Sequence, residues 1–488
     1  MNSVTPLPVL QRPRGRAGLE NTVPPVLRPA LRAYLLGYAS VVAPRVLALV
    51  LQVGTRWKRG RGLRNGTQTE SQDAFITSLR RILRSGIDPQ TFPTFCAALV
   101  GGATLLDVLV SRLIHRSRTS LSHVARRRLS RWISSFIAGW LSLRLLQSKN
   151  TNAFADITPV DGDKEKTVRY AGRTLDLTLF SATRAVDVVI GELWSRRRQR
   201  RVAAGRWSPL DSCISRMADP SIFAASCALI MWAWFYAPSA LPRSYDKWIS
   251  SAAAVDSRLI KALRRCRKGE LRYGEETGQA PLLESMCADY RWPREWGDPA
   301  TTVPFPCEIV HMGCGPSCEY HALSRFLRSF KWSVATYLPL NLLARRKNLQ
   351  GFRRALVSAV RSSSFLATFI ALFYYGVCLA RTRLGPHLVG KDVASRQTID
   401  AGLCVGCGCF MCGWSIFLEA ASRRKDMALF VAPRALATLL PRRYPLDKQW
   451  RETFLFAFST AIVFTCVGEN RNRVRGVLGS VLGSVLEF

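Results

Sequence analysis

Acidic residues are scarce in this sequence. Its 488 residues hold 33 Asp and Glu against 70 Lys and Arg, a formal charge of +37. Histidine is scarcer still, with five copies. No catalytic constellation assembles from so few: G-x-x-x-x-G-K-[ST], G-x-S-x-G and H-E-x-x-H are all missing. Ser226 and Ser459 have no base that spacing assigns to them. The 14 cysteines are too sparse for a secreted disulfide scaffold. The N-terminal stretch has no compact apolar core ahead of a small-residue cleavage site, so a secretory signal is not expected there. Arg12, Arg14, Arg16, Arg28 and Arg32 with Glu20 as the one acid are weakly transit-like, while the prolines among them equally fit a disordered tail. Val485-Leu486-Glu487-Phe488 is neither a peroxisomal matrix tripeptide nor an ER-retention signal.

Apolar residues, by contrast, are plentiful. They make up 48% of a chain that is also 21% charged, and the mean hydropathy is +0.05. A polytopic α-helical membrane protein with basic loops accounts for both numbers. Four stretches carry no charge: Pro220–Pro242, Ser362–Ala380, Ala401–Leu418 and Thr453–Gly468. A span needs about 20 apolar residues, so the first three qualify and the fourth is short. Weaker candidates are 31–53, 93–110, 132–146, 175–193, 326–343 and 427–440. The basic loops are explained by topology and anionic headgroups, so no nucleic-acid partner is expected.

The sequence echoes itself in order. Phe136-Ile137-Ala138-Gly139-Trp140 matches Phe410-Met411-Cys412-Gly413-Trp414 at an offset of 274. The stretch Leu179 to Ala185 matches Leu429 to Ala435 at 250, and Ile222 to Ser226 matches Leu455 to Ser459 at 233. This order predicts an all-α fold of two homologous halves with about four to five helices each. The expected organisation is a basic, Pro-rich tail (1–30), a first membrane repeat (31–242), a polar Cys-rich segment (243–320) and a second membrane repeat (321–488). An odd number of spans per half would make the halves inverted, with a site at their interface.

Three groups of residues could carry chemistry. Cys307, His311, Cys314 and Cys318, with His321 beyond, form C-x3-H-x2-C-x3-C-x2-H. Zinc takes four N/S ligands in a tetrahedron, and the Gly and Pro turns let close ligands converge. A Cys307–Cys318 disulfide and plain free thiols fit the same spacing. Zinc is the one cofactor the sequence admits; otherwise none is expected. Cys404, Cys407, Cys409 and Cys412 sit inside an uncharged span, and their repeat partners are Ser130, Ile133, Ser135 and Ala138. Small-for-small exchange reads as close helix packing rather than metal binding. Arg184 and Arg434 are repeat equivalents within apolar segments. They are candidate ligands for an anionic lipid headgroup, with Asp187 placed to serve Arg184; the competing reading is snorkelling to the interface.

The order of three stretches resembles the transmembrane protein 135 family. CEIVHMGCGPSC leads into YLPLNL with Arg345 and Arg346; then come SSSFLATFIALFYYGVCLA and FLEAASRRKDMALFVAPRALATLL. Cys307, Glu308, Ile309, His311, Ser317 and Cys318 match that family's Cys-rich pattern, and Glu419 with Arg423-Arg424-Lys425 matches a basic element loosely. The tail Leu241–Trp248 resembles a C-terminal family motif, so the halves stand in swapped order, a fungal-type arrangement. The resemblance implies a non-enzymatic multi-pass protein of a peroxisomal or mitochondrial membrane, in lipid handling, transport or organelle organisation. It implies membrane lipids and other organellar membrane proteins as partners. It also implies a distant relationship to the mitochondrial Tim17/Tim22/Tim23 translocase components, which the Gly101-Gly102 pair fits. The alternative is a membrane-embedded metal- or thiol-dependent enzyme built on the Cys clusters.

Overall fold

The computed structural model describes residues 23–60, 68–116, 122–160, 164–344, 349–470 and 473–486. Arg12, Arg14 and Arg16 of the basic tail, Asp161 and Asp163, and Arg345 and Arg346 lie outside them. The chain divides into two compact units: Met1–Gly191 with Arg443–Phe488, and Glu192–Arg442. In chain order, unit one opens with α1 (Arg28–Gly60), α2 (Gln68–Ser85), α3 (Phe92–Arg116) and α4 (His123–Gln147). A hairpin of β1 (Ala155–Val160) and β2 (Lys164–Ala171) leads to α5 (Leu175–Ala203), along which unit two begins.

Unit two contains α6 (Pro209–Tyr236), α7 (Arg243–Ala253), α8 (Ser257–Lys268), α9 (Ala280–Tyr290), α10 (Cys307–His311), α11 (Cys318–Ala344), α12 (Leu349–Leu379), α13 (Cys404–Cys412) and α14 (Ala421–Thr438). The chain then returns to unit one with β3 (Tyr444–Pro445), α15 (Gln449–Glu469) and α16 (Val477–Val485). Helix starts follow local chemistry. At α6, the Ser208 hydroxyl accepts the Asp211 amide and the Asp211 carboxylate accepts the Ser208 amide, with Pro209 opening the first turn. At α8, Asp256 caps the start and Gly269, at φ +73°, ends it.

Six helical stretches are long and apolar enough to cross a membrane: Pro25–Val50, Phe92–Arg116 and Leu446–Glu469 in unit one, and Pro209–Tyr236, Gln350–Leu388 and Val393–Leu418 in unit two. All four uncharged sequence stretches fall inside or along these. The weaker segments 132–146, 175–193, 326–343 and 427–440 are helical, as α4, α5, α11 and α14, but are not among the six. The all-α reading holds with one addition. The β1–β2 hairpin, whose antiparallel register pairs Ala155 with Arg169, and the short β3, where Tyr170 pairs with Pro445, are absent from the sequence-based expectation.

Small residues set the closest approaches. In unit one, α15 packs on α4 so tightly that a β-carbon on Gly139 would lie 3.1 Å from Ala457 Cα. In unit two, a β-carbon on Gly413 would lie 2.5 Å from Ala224 Cα of α6. Gly139 and Gly413 occupy corresponding places in the sequence echo, as do Ala457 and Ala224. The same contact is therefore built twice, each time with a closing helix from the other stretch of chain. α6, in the 31–242 segment, packs in unit two, and α15, in the 321–488 segment, packs in unit one. Apolar side chains fill the space around these contacts. Phe95, Leu143, Leu146 and Phe456 form one buried cluster of unit one, with Phe95 and Phe456 5.8 Å apart. In unit two Phe223, Phe365 and Ile416 share another. In lipid there is little hydrophobic drive between helices, so this kind of close small-residue contact supplies the packing.

Candidate functional site

Unit two gathers the chemically richest residues where α10, α11 and the end of α12 meet. Met312 (φ 51°), Gly313 (φ 85°) and Gly315 (φ 82°) reverse the chain after α10 through left-handed backbone, which glycine adopts without a steric penalty. The reversal brings the Gly315 carbonyl to 2.7 Å from His311 Nδ1. His311 is fully buried, and its ligand nitrogen lies within 4.8 Å of the Cys307 and Cys318 sulfurs, which lie as close to each other. On the far side, Cys378 Sγ of α12 is 3.3 Å from His311 Nε2. Cys307, His311 and Cys318 thus converge, Cys378 adjoins them through His311, and Cys307, Cys318 and Cys378 are free thiols.

The surroundings fix this cluster. His321 stacks on His311 with ring centroids 4.6 Å apart, and Tyr374 closes edge-on at 5.2 Å. Arg325 donates to the Ala254 carbonyl at 3.2 Å and Tyr374 donates to the Ala253 carbonyl at 2.8 Å, so α11 and α12 both grip the end of α7. Behind Cys307 lies a buried ion pair. Arg381 Nε donates to Asp400 Oδ1 at 2.6 Å and Nη2 to Oδ2 at 2.9 Å. Tyr273 donates its hydroxyl to Asp400 Oδ2 at 2.6 Å, and Arg381 also donates to the Phe305 carbonyl at 2.9 Å. Arg381 Nη1 approaches Cys307 Sγ at 3.9 Å. Burial pushes the Cys307 thiol up to about 11, opposed by the Arg381 charge. Burial also holds His311 below its ordinary value and, helped by His311 and Arg325, takes His321 down to about 3. Both imidazoles are therefore neutral at physiological pH, the form that can donate a lone pair.

Unit one holds a second feature, an apolar cleft of about 320 Å³. Leu36, Phe92, Phe95, Leu177, Phe464 and Leu482 are among its lining residues. Its polar groups are few. Arg184 is 6% exposed, lies over the Phe180 ring at 5.1 Å and donates to the Arg475 carbonyl at 3.3 Å. Ser181 and Thr460 face each other there, with hydroxyl oxygens 3.2 Å apart.

Residues 304–442 match the family described as the N-terminal cysteine-rich region of Transmembrane protein 135. Through this region, 139 of its 488 residues, the chain is similar to the transmembrane protein 135 family. No curated protein and no solved structure matches the chain. The matched stretch begins just ahead of Cys307 and takes in Cys378, Arg381 and Asp400, so the whole buried cluster apart from Tyr273 lies in the region similar to that cysteine-rich family. With its apolar helices, this makes it an integral, multi-pass membrane protein.

Within that region the sequence-based set needs one exchange. Cys307, His311 and Cys318 come together, but Cys314 turns away, its sulfur 3.7 Å from the Ser324 hydroxyl. The turn that frees the Gly315 carbonyl for His311 carries Cys314 off the cluster. Cys378, 60 residues beyond Cys318, takes its place; no local spacing signals it, and only its position just ahead of Arg381 at a span end hints at it. Cys404, Cys409 and Cys412 are buried in the α13 span, and a β-carbon on Gly408 beside them would lie 2.6 Å from the Phe373 carbonyl. They fall in no metal-like group among the described residues.

The Arg184 and Arg434 expectation divides. Arg184 is buried at the unit-one cleft, but Asp187 does not serve it. Asp187 pairs with Arg475, because Arg475 reaches the carboxylate while offering its own carbonyl to Arg184. Arg434 lies in unit two, over the Phe430 ring at 3.8 Å, with its Nη1 donating to the Phe430 carbonyl at 2.8 Å. This half-buried guanidinium, folded over its own helix, stands in a different setting from the buried Arg184.

Proposed function

We propose that this protein is a non-enzymatic lipid-handling component of a peroxisomal or mitochondrial membrane, and that it seats the acyl chain of an anionic lipid in the unit-one cleft with the acidic head on Arg184. The cleft carries this reading. Its lining is almost wholly apolar, its volume lies near the lower end of the roughly 300–1,000 Å³ usual for ligand sites, and a buried guanidinium with two hydroxyls sits in an otherwise greasy wall. A charge placed among apolar helices is a functional hypothesis by default. The family resemblance supports the organelle and the lipid link.

The test is binding of a fluorescent long-chain fatty acid to delipidated, detergent-purified protein, with phosphatidic acid and phosphatidylcholine as competitors. A charge-assisted hydrogen bond contributes about 1.5–3 kcal/mol, so Arg184→Leu should weaken binding roughly 10- to 100-fold. Arg184→Lys should lose less, and Arg434→Leu should bind as wild type. Equal binding by wild type and Arg184→Leu, or no binding at all, would rule the reading out.

A further inference from the structure

We infer that Cys307, His311, Cys318 and Cys378 hold one zinc ion in a closed Cys3His site that fastens the segment between the apolar regions to the end of a membrane span. In a tetrahedral site with Zn–S near 2.3 Å and Zn–N near 2.0–2.1 Å, neighbouring ligand atoms stand about 3.5–3.8 Å apart. The three ligand atoms of Cys307, His311 and Cys318 already lie within 4.8 Å of one another, and Cys378 Sγ stands 3.3 Å from His311 Nε2. Drawing the first three atoms in by up to about 1 Å brings them to tetrahedral spacing, and Cys378, already close to that spacing from His311, is the side chain that can move in as the fourth ligand.

The outer contacts point the same way. A ligating imidazole almost always donates its second ring N–H to an oxygen acceptor. The Gly315 carbonyl is such an acceptor, 2.7 Å from His311 Nδ1, and it leaves the Nε2 lone pair facing Cys378. Three thiolates and a divalent ion leave a net charge of −1. Arg381 is the neighbouring cation, its Nη1 3.9 Å from Cys307 Sγ, and Asp400 and Tyr273 hold that guanidinium in place. Four protein ligands leave no open position, so the ion is structural and not catalytic. Any thiol proton that the ion displaces passes to solvent. The site joins α10, the first residue of α11 and the end of α12, elements otherwise separated by up to 71 residues of chain, and so closes a loop that the turn at Gly313–Gly315 alone leaves to weak contacts.

The experiment is zinc analysis of the full-length protein purified without chelator, then of the same protein stripped and redialysed against micromolar zinc. The expected result is one zinc per chain, with X-ray absorption giving three sulfurs and one nitrogen. Cys378→Ser should lose the zinc or hold it at least 10-fold more weakly, while Cys314→Ser should retain it. Cobalt replacement should give a thiolate charge-transfer band that Cys378→Ser diminishes and Cys314→Ser does not. Failure of wild type to take up stoichiometric zinc, a Cys307–Cys318 disulfide found by thiol mapping, or loss of zinc in Cys314→Ser with retention in Cys378→Ser would each overturn the inference. The absorption count on wild type decides the ligand set even where a variant does not fold.

Discussion

Removing Asp400 should be among the most damaging single changes to unit two. Its side chain is 1% exposed and that of Arg381 2%, so neither can turn to water. Asp400→Leu would strand a buried guanidinium whose other neighbours are the Phe305 carbonyl and ring, the ring centroid 4.3 Å away. Stranding one member of a buried pair costs about 3–5 kcal/mol. At about 2–4 °C per kcal/mol for a unit of this size, the apparent melting midpoint should fall by roughly 6–20 °C. Replacing both partners behaves differently, because no charge is then left buried. Arg381→Met with Asp400→Leu should recover most of the loss. It should not recover all, since the Tyr273 hydroxyl and the Phe305 carbonyl lose partners worth about 1–3 kcal/mol each. Adding Tyr273→Phe should return part of that remainder. The assay is thermal unfolding of detergent-purified full-length protein, followed by tryptophan fluorescence and by recovery of the monodisperse peak. A shift of less than about 2 °C for Asp400→Leu, or a double variant worse than the single, would refute the reasoning.

Three further predictions rest on other parts of the fold. Gly413→Ala should destabilise by about 1–3 kcal/mol, because the added carbon meets Ala224 backbone at 2.5 Å, while Gly139→Ala, with 3.1 Å to Ala457, should cost clearly less; paired melting curves would show the order. Changing Cys404, Cys407, Cys409 and Cys412 together to Ala or Ser should leave the protein folded with its metal content unchanged, which gel filtration and elemental analysis check. Asp256→Ala should cost about 1 kcal/mol through loss of the α8 cap. Hydrogen bonds from Arg258 hold the Asp256 carboxyl below its ordinary 3.8. Its stabilisation is therefore fully present above pH 3.8 and lost as pH falls through the lower folded value, so stability measured between pH 5 and 2 should decline less in Asp256→Ala than in wild type.

Much of the helical fold was legible because charge is excluded from spans. Every uncharged stretch overlaps a helix long and apolar enough to cross a membrane. The weak segment around 132–146 was legible as a helix through its echo of the uncharged stretch Ala401–Leu418. What could not be read is what lies far apart in sequence. Cys378 joins His311 only through the packing of α12 on α11, and Asp400 reaches Arg381 across a turn region that gives no motif. Arg184 and Arg434 look alike in sequence, yet one is buried and the other folds over its own helix. Their difference arises from neighbours such as Arg475, which no local pattern marks. The hairpin was missed because the acidic stretch holding Asp156, Asp161, Asp163 and Glu165 reads as loop in the sequence.

The placement of α15 has a consequence for how the protein is made. Unit two is one uninterrupted length of chain, Glu192–Arg442, whereas unit one is interrupted by all of it. During synthesis, α1 to α5 emerge first but must wait for α15, more than 240 residues later, before the Gly139 face of α4 is covered. In unit two the wait is shorter, since α13 and Gly413, against which α6 packs, follow it by about 170 residues. The earliest part of the chain to leave the ribosome is thus the last to finish folding. Until then its uncovered small-residue face is a natural client for insertion factors and chaperones, and a ribosome stalled anywhere before residue 449 leaves unit one without its closing helix.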